Sequence, residues 1–299
     1  MIDFIQNCLD GLMRGSAYAL LALGFTLIFG VMRRLNLAFG ASIMLGVFIG
    51  TFVHMEFEAN RPLVALATIA AAVAAGAYVE RICFWAVRRD AALASMISTF
   101  AIWMQLEELV TLLFPERTYA FPPLVDWQPI EFGEFYLRAE QLMMFVIALA
   151  TTAMLHVLLF RTRYGLSLRA VADNAKAARV VGLNTGRVII VAFALASALG
   201  GMAAFLIAGT DGQVTPLFGL WATFKGLIAM MLGGMGSIPG AIVGGILLGL
   251  IEAHGLWYLG AEYRDLLVYG IFFAVLVVRP GGVLGQSVAR RIQSAAGRV

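Results

Sequence analysis

Arg161–Arg187, RTRYGLSLRAVADNAKAARVVGLNTGR, is the longest break between apolar runs that reads as a small folded element rather than a tail. Six cations (Arg161, Arg163, Arg169, Lys176, Arg179 and Arg187) stand there against one anion, Asp173. A loop so cationic and so short stays on the cytoplasmic side of a membrane. Read as a helix, Ser167–Val181 places Arg169, Asp173 and Lys176 on one side with Arg179 beside them. Val171, Ala175 and Ala178 fall opposite. Ser167 is the expected N-cap and Gly182 the expected C′ terminator. Small alanines let another surface approach closely, and cations offer partners to carboxylates, so the stretch suits docking. An ordinary positive-inside loop carrying a surface helix would show the same charge.

Composition sets the surroundings of this loop. Hydrophobic residues make up 61% of the chain and charged residues 13%, about half the roughly 25% charge of soluble domains. With a mean hydropathy of +0.89, this is an integral membrane protein. Apolar runs near 20 residues recur, which indicates helices rather than the roughly 10-residue alternating strands of a barrel. The fold class is therefore all-α: one polytopic helical bundle over residues 1–299 with no soluble extension. Its first apolar run reads as a retained helix, because no small-residue cleavage site with a soluble domain follows it.

Eight apolar segments are expected: Cys8–Val31, Asn36–Val53, Pro62–Phe84, Ala91–Phe114, Glu140–Phe160, Val188–Gly209, Ala222–Ala253 and Asp265–Val278. Between the fourth and fifth lies an external loop, 115–138, with Glu116, Asp126, Glu131 and Glu134 against Arg117 and Arg138. Its Tyr119, Trp127 and Tyr136 suit the headgroup level. Placing Arg33, Arg34, Arg81, Arg88, Arg89, the central loop, Arg279, Arg290, Arg291 and Arg298 inside collects fifteen of the twenty-one cations. Arg14, Arg61, Arg117, Arg138, Lys225 and Arg264 remain outside. That bias puts the N-terminus outside, and the central loop and C-terminus inside.

Parity then constrains the seventh segment, which must return to the side it entered from. Its middle, Gly233-Gly234-Met235-Gly236-Ser237-Ile238-Pro239-Gly240, is full of helix breakers. The expected solution is a broken re-entrant pair of half-helices meeting near the midplane. A kinked single crossing with an external C-terminus is the alternative. Glycine and histidine punctuation (Gly40-Ala41…Gly46…His54 and Gly240-Ala241…Gly245…His254) hints at an internal repeat.

Several chemistries are missing from the sequence. No Gly-x-x-x-x-Gly-Lys-Ser/Thr loop occurs, so nucleotide is not held by that device. His54, His156 and His254 are too scattered for a metal pair, and Cys8 and Cys83 form no disulfide or metal pattern. Glu107, Glu108 and Glu252 stand near outer segment ends, where snorkelling suits them better than proton relay. No catalytic residue and no resident cofactor are expected. A pump without its own energy site must borrow one through a docking loop.

The central loop's Gly165, Leu166, Arg169, Ala170, Asp173, Asn174, Ala177, Ala178, Gly182, Leu183, Asn184 and Arg187 resemble the coupling segment of branched-chain amino-acid ABC permeases. Lys176 stands where many importers open that loop with an acid. Gly11…Gly15-Ser16-Ala17-Tyr18-Ala19-Leu20…Phe29-Gly30-Val31-Met32 resembles the first helix of such permeases of the LivH type. Asn36-Leu37-Ala38-Phe39-Gly40 resembles their Asn-Phe-Ala-His-Gly turn, with Phe39 in place of the histidine. Lys225-Gly226…Leu232-Gly233-Gly234-Met235-Gly236-Ser237-Ile238-Pro239-Gly240-Ala241 resembles their C-terminal glycine signature.

The resemblance implies a permease subunit of an ATP-driven importer of branched-chain amino acids in the bacterial inner membrane. It would pair with a second homologous permease subunit in the lipid bilayer, above two ATP-binding subunits that hold the ATP. A periplasmic solute-binding protein would deliver substrate; no nucleic acid is involved. Arg169, Asp173, Ala177, Ala178 and Gly182 would couple to the ATPase. The two irregular stretches supply the expected pathway residues Asn36, Gly40, Gly236, Ser237 and Gly240, since backbone freed at membrane depth must line a cavity or be buried in protein. Relatives carry other amino acids, urea, amides or aromatic acids. An ion-coupled secondary transporter and a channel-like or scaffold protein are the rivals from other classes.

Overall fold

The computed structural model describes residues 2–86, 92–116, 118–132, 135–279 and 281–284. Arg88, Arg89, Arg117, Glu134, Arg290, Arg291 and Arg298, all counted in the charge reading, lie outside those residues, as does Ala91 at the expected start of segment four.

Among the described residues the chain forms α1 (Ile2–Met32), α2 (Phe39–Phe57), α3 (Arg61–Val79), α4 (Ala92–Leu113), α5 (Ala139–Arg161) and α6 (Arg163–Val180). It continues as α7 (Thr185–Asp211), α8 (Phe218–Gly233), α9 (Ile238–Leu259) and α10 (Arg264–Val278). A π-helical turn, Glu80–Trp85, prolongs α3. Seven helices are long and apolar enough to cross a membrane; α8 and α10 are apolar but shorter, and α6 is polar. Helix is the expected answer to an apolar solvent, because it satisfies backbone groups within the segment. The prolines inside the helical set, Pro62 and Pro239, sit in first turns, where no N–H is needed.

α1 is the central helix. Gly11 meets Leu250 and Gly15 meets Ile246, where an added Cβ would stand 2.8 Å from the partner Cα in each case. This small-residue seam lets α1 and α9 run antiparallel at close range. α7 is antiparallel to α1 as well, since Gly24 abuts Ala196 while Arg14 and Tyr18 share a cavity with Thr210 and Asp211.

These directions define two faces. The 115–138 loop lies at the start of α1 and the end of α7. Its β1 (Tyr119–Ala120) pairs antiparallel with β4 (Gln213–Val214), and β2 (Ile130–Phe132) with β3 (Phe135–Leu137). Gln6 Nε2 donates to the Tyr136 carbonyl at 2.8 Å, fastening the hairpin to α1. The opposite face carries α6, the ends of α1 and α5, the start of α7 and the α8–α9 turn. The described end of the chain is also there: Val283 N and Leu284 N donate to Leu232 O and Gly233 O at 2.7 and 3.0 Å.

Segment seven is broken where expected, but it is longer than Ala222–Ala253. It becomes α8 of 16 residues and α9 of 22, and at 1.5 Å per residue the second alone is about 33 Å long. The break therefore sits at the ends of both helices, with Gly236 and Pro239 exposed, rather than at a midplane meeting of half-helices. Phe218–Trp221 and His254–Leu259 extend the two helices beyond the expected segment, giving it the length for two passes.

The repeat becomes legible in the helix boundaries. Met32 and Gly233 end helices; Phe39 and Ile238 begin them; Phe57 and Leu259 end them; Arg61 and Arg264 begin them. Each pair is about two hundred residues apart. The triplets α1–α2–α3 and α8–α9–α10 traverse the bundle in the same sense, as parallel repeats do.

Candidate functional site

Two places carry polar chemistry that a plain bundle does not need: α6 and the interior beside α1.

α6 begins earlier than expected. Thr162, not Ser167, is its N-cap: Thr162 Oγ1 accepts from Gly165 N at 3.1 Å, while Ser167 Oγ donates to Arg163 O. The helix is also not continuous. Asn174 leaves helical geometry (φ −153°, ψ 98°), and its Oδ1 accepts from Lys176 N and Ala177 N at 3.0 Å each. Asn174 thus ends one helix and caps the next turn, as a short amide side chain is suited to do. At the far end Gly182 takes φ +85°. Leu183 N donates to Ala178 O and Gly182 N to Arg179 O, both at 3.0 Å, which is the Schellman closure.

Leu168, Val171 and Ala178 are buried and Ala175 is half-buried, so the expected inward face is present. Tyr164 anchors the element by donating to Val188 O at 3.0 Å, and burial pushes its phenol up to about 12, so it remains a donor. Asp173, Lys176, Ala177 and Arg179 are exposed. Arg169 is turned aside, its guanidinium 5.0 Å from the Phe160 ring. Of the proposed coupling residues, Asp173 and Ala177 face outward, Ala178 inward, and Gly182 closes the end. Val180 and Val181, 89% and 79% exposed, complete the outer surface. They were missed because valines in a polar loop read as its inward side.

The five expected pathway residues hold turns and contacts. Asn36 is 2% exposed and its Oδ1 accepts from Ala38 N at 3.1 Å. Gly40 lies against Gly219 O and the Thr223 hydroxyl, bringing α2 onto α8. Gly240 abuts Gly233 across the hairpin, and Ser237 Oγ caps α9 by accepting from Gly240 N at 3.1 Å. Gly236 supplies a left-handed turn at φ +81°. None of them lines the interior cavity.

That cavity was not legible from sequence. Lys225 Nζ and Glu252 Oε2 pair at 3.0 Å, with the residues 1% and 2% exposed. Lys225 is not an external charge, and Glu252 is not a snorkelling one. α8 begins at Phe218 and α9 runs on to Leu259, so each charge stands about two turns inside its helix rather than at its end. The signal available was one lysine and one glutamate in the two apolar arms of a single hairpin. Tyr18 and Trp221 rings each lie 5.9 Å from the ammonium. Beside the pair is a cavity of ≈ 130 Å³ bordered by Arg14, Tyr18, Thr210, Asp211, Trp221 and Glu252. Opposite charges and aromatic rings thus surround one space in an apolar bundle.

Residues 7–276 match the family described as branched-chain amino acid transport system / permease component. The LivH permease protein of the high-affinity branched-chain amino acid transport system of Escherichia coli K12 is 34% identical, over 97% of this chain and 98% of that protein. BraD, the corresponding permease protein of Pseudomonas aeruginosa, is 32% identical over the same shares. Among solved structures, an inward-facing metal-chelate type ABC transporter superposes with a TM-score of 0.51 over 92% of this chain and 85% of that one, at 18% identity.

Proposed function

The chain belongs to the family of branched-chain amino acid transport permease components, and on that premise we propose that it is the membrane-spanning subunit of an ATP-driven importer of leucine, isoleucine and valine. A match running nearly end to end with permeases of that one activity carries the substrate class. The observation that carries the energy coupling is α6, a capped and kinked polar element inserted between two long apolar helices.

The α6 face is the cytoplasmic one in this reading, because cationic loops are retained there. The 115–138 loop is then periplasmic, and the membrane is the bacterial inner membrane. Two ATP-binding subunits dock from below, a second homologous permease subunit lies alongside, and a solute-binding protein delivers substrate from above. Asp173, Lys176, Ala177, Arg179, Val180 and Val181 offer a docking subunit charges around an apolar centre. Movement of that subunit reaches the bundle through Tyr164, which ties α6 to α7, and through Gly182, which fixes the exit angle of the chain. The chain itself supplies the passage through the membrane, and hydrolysis belongs to its ATP-binding partners.

The test is reconstitution of the permease pair with the ATP-binding subunits in proteoliposomes. ATP-dependent accumulation of labelled leucine, stimulated by the solute-binding protein, is expected. Equal accumulation without ATP, or under an ion gradient alone, would replace this reading with the channel or secondary-transporter one.

A further inference from the structure

We infer that the cavity beside Glu252 is a resting site for the zwitterionic head of the transported amino acid, held between Arg14 on one side and Asp211 with Glu252 on the other. The inference rests on the amino-acid permease reading and adds a binding site to it.

Access comes first. Asp3, Gln6, Asp10, Arg14 and Tyr18 recur at three- and four-residue spacing along α1, so they share one helix face. The outer four border a vestibule of ≈ 390 Å³ on the loop face, and Arg14 also borders the inner cavity. Arg14 borders both spaces, so the polar residues of α1 run from the loop face to the cavity beside Glu252. Gln141 borders the vestibule while only 4% exposed, and its carboxamide oxygen has no protein partner. A buried acceptor left open suits a ligand that brings donors.

Charge comes second. An α-amino acid brings one ammonium and one carboxylate, and an apolar bundle rejects either unless it is paired. The cavity border holds one cation, Arg14, and two anions, Asp211 and Glu252. Lys225 balances Glu252 without itself bordering the cavity. A zwitterion entering there finds a partner for each charge, and the net charge of the interior does not change. At ≈ 130 Å³ the cavity has room for a small charged head group.

Stability alone does not account for the pair. An apolar pair of similar volume holds two helices together as well as a buried ion pair does, because desolvation offsets the attraction. Charges placed where a polar track ends are accounted for by a charged visitor.

The experiment uses the assembled transporter in lipid nanodiscs, without nucleotide or solute-binding protein, and measures retention of radiolabelled leucine by scintillation proximity. Retention is expected to saturate. It should be displaced by unlabelled leucine but not by equal concentrations of isopentylamine or 4-methylpentanoate, which each lack one of the two charges. Glu252→Gln should weaken it roughly thirtyfold or more, as truncating one member of a desolvated charge pair does, and Asp211→Asn should weaken it by a smaller but measurable factor. Asp211 ends α7 in an exposed position, so its variant reports even where Glu252→Gln fails to assemble. Absent retention, retention unchanged by Asp211→Asn, or equal displacement by either one-charge analogue overturns the site. The same preparation, given ATP and binding protein, must accumulate leucine. Uptake without retention removes only the cavity site, whereas no uptake of any branched-chain amino acid removes the transport reading and the site with it.

Discussion

At Gly182 the backbone stands at φ +85°, where a β-branched residue is strained by about 1–2 kcal/mol. A Cβ there meets no other atom within 4 Å, so strain alone acts, and it acts on the closure of α6. Gly182→Val should leave membrane insertion intact and reduce co-purification of the ATP-binding subunits or ATP-driven uptake. Normal values of both would remove the coupling role from this end of α6. Lys225 and Glu252 differ in kind, since each without the other is a buried charge that has lost its ion partner. Lys225→Met should therefore destabilise the protein by about 3–5 kcal/mol, while Lys225→Met with Glu252→Met should recover most of that loss. Thermal unfolding of the purified variants in detergent decides it: a double variant no more stable than the single one contradicts the pairing. Gly182 was readable from sequence because a glycine after a helical run has one common use. The ion pair was not, because pairing is a relation between helices and the charges stand 27 positions apart.

α6 as an element was legible in its existence, its inward face and its terminator, and illegible in its kink. Asn174 reads as one more polar residue on a helical surface; only the bonds from its Oδ1 to Lys176 N and Ala177 N reveal a second cap. Losing such a cap costs about 1 kcal/mol. Asn174→Ala should let α6 straighten, so that Ala177 and Arg179 no longer meet the ATP-binding subunit at the same angle. The expected outcome is an assembled transporter that hydrolyses more ATP for each leucine accumulated, read as the ratio of the two rates in proteoliposomes. An unchanged ratio would make the kink incidental to coupling. The irregular stretches around Asn36 and Gly236 were equally visible in sequence, and the contacts they make in the structure are local. Asn36 secures the entry to α2, Ser237 the entry to α9, and Gly40 brings α2 onto α8. Helix-breaking residues mark where a chain turns, and the sequence alone cannot say whether a ligand passes there. Gly40→Val forces a side chain into Gly219 O and Thr223, overpacking of the kind that costs about 1–3 kcal/mol. It should lower yield and thermal stability together; a variant with both unchanged would mean that α2 and α8 can separate.

For the whole molecule, composition and the spacing of apolar runs were enough for a polytopic helical bundle, because the bilayer permits few other solutions. What they could not supply was the count of passes in segment seven, since run length measures hydrophobicity and not where a helix stops. The bonds of Val283 and Leu284 to the end of α8 settle the parity in the structure, by placing residues 281–284 on the α6 face. α8 must then travel from the loop face to the α6 face, α9 back again, and α10 return. Single cysteines in a background without Cys8 and Cys83 test this arrangement. Ala177, Gln128 and Leu284 are all exposed, so Ala177→Cys, Gln128→Cys and Leu284→Cys should each react with a membrane-impermeant maleimide. In the permease without its ATP-binding subunits, Ala177→Cys and Leu284→Cys should label from the cytoplasmic side and Gln128→Cys from the periplasmic side. Adding the ATP-binding subunits should protect Ala177→Cys, because the docking surface is then covered. If Leu284→Cys labels with Gln128→Cys instead, α8 and α9 do not both cross. The depth of Lys225 and Glu252, and with it the polar track down α1, would then have to be rebuilt.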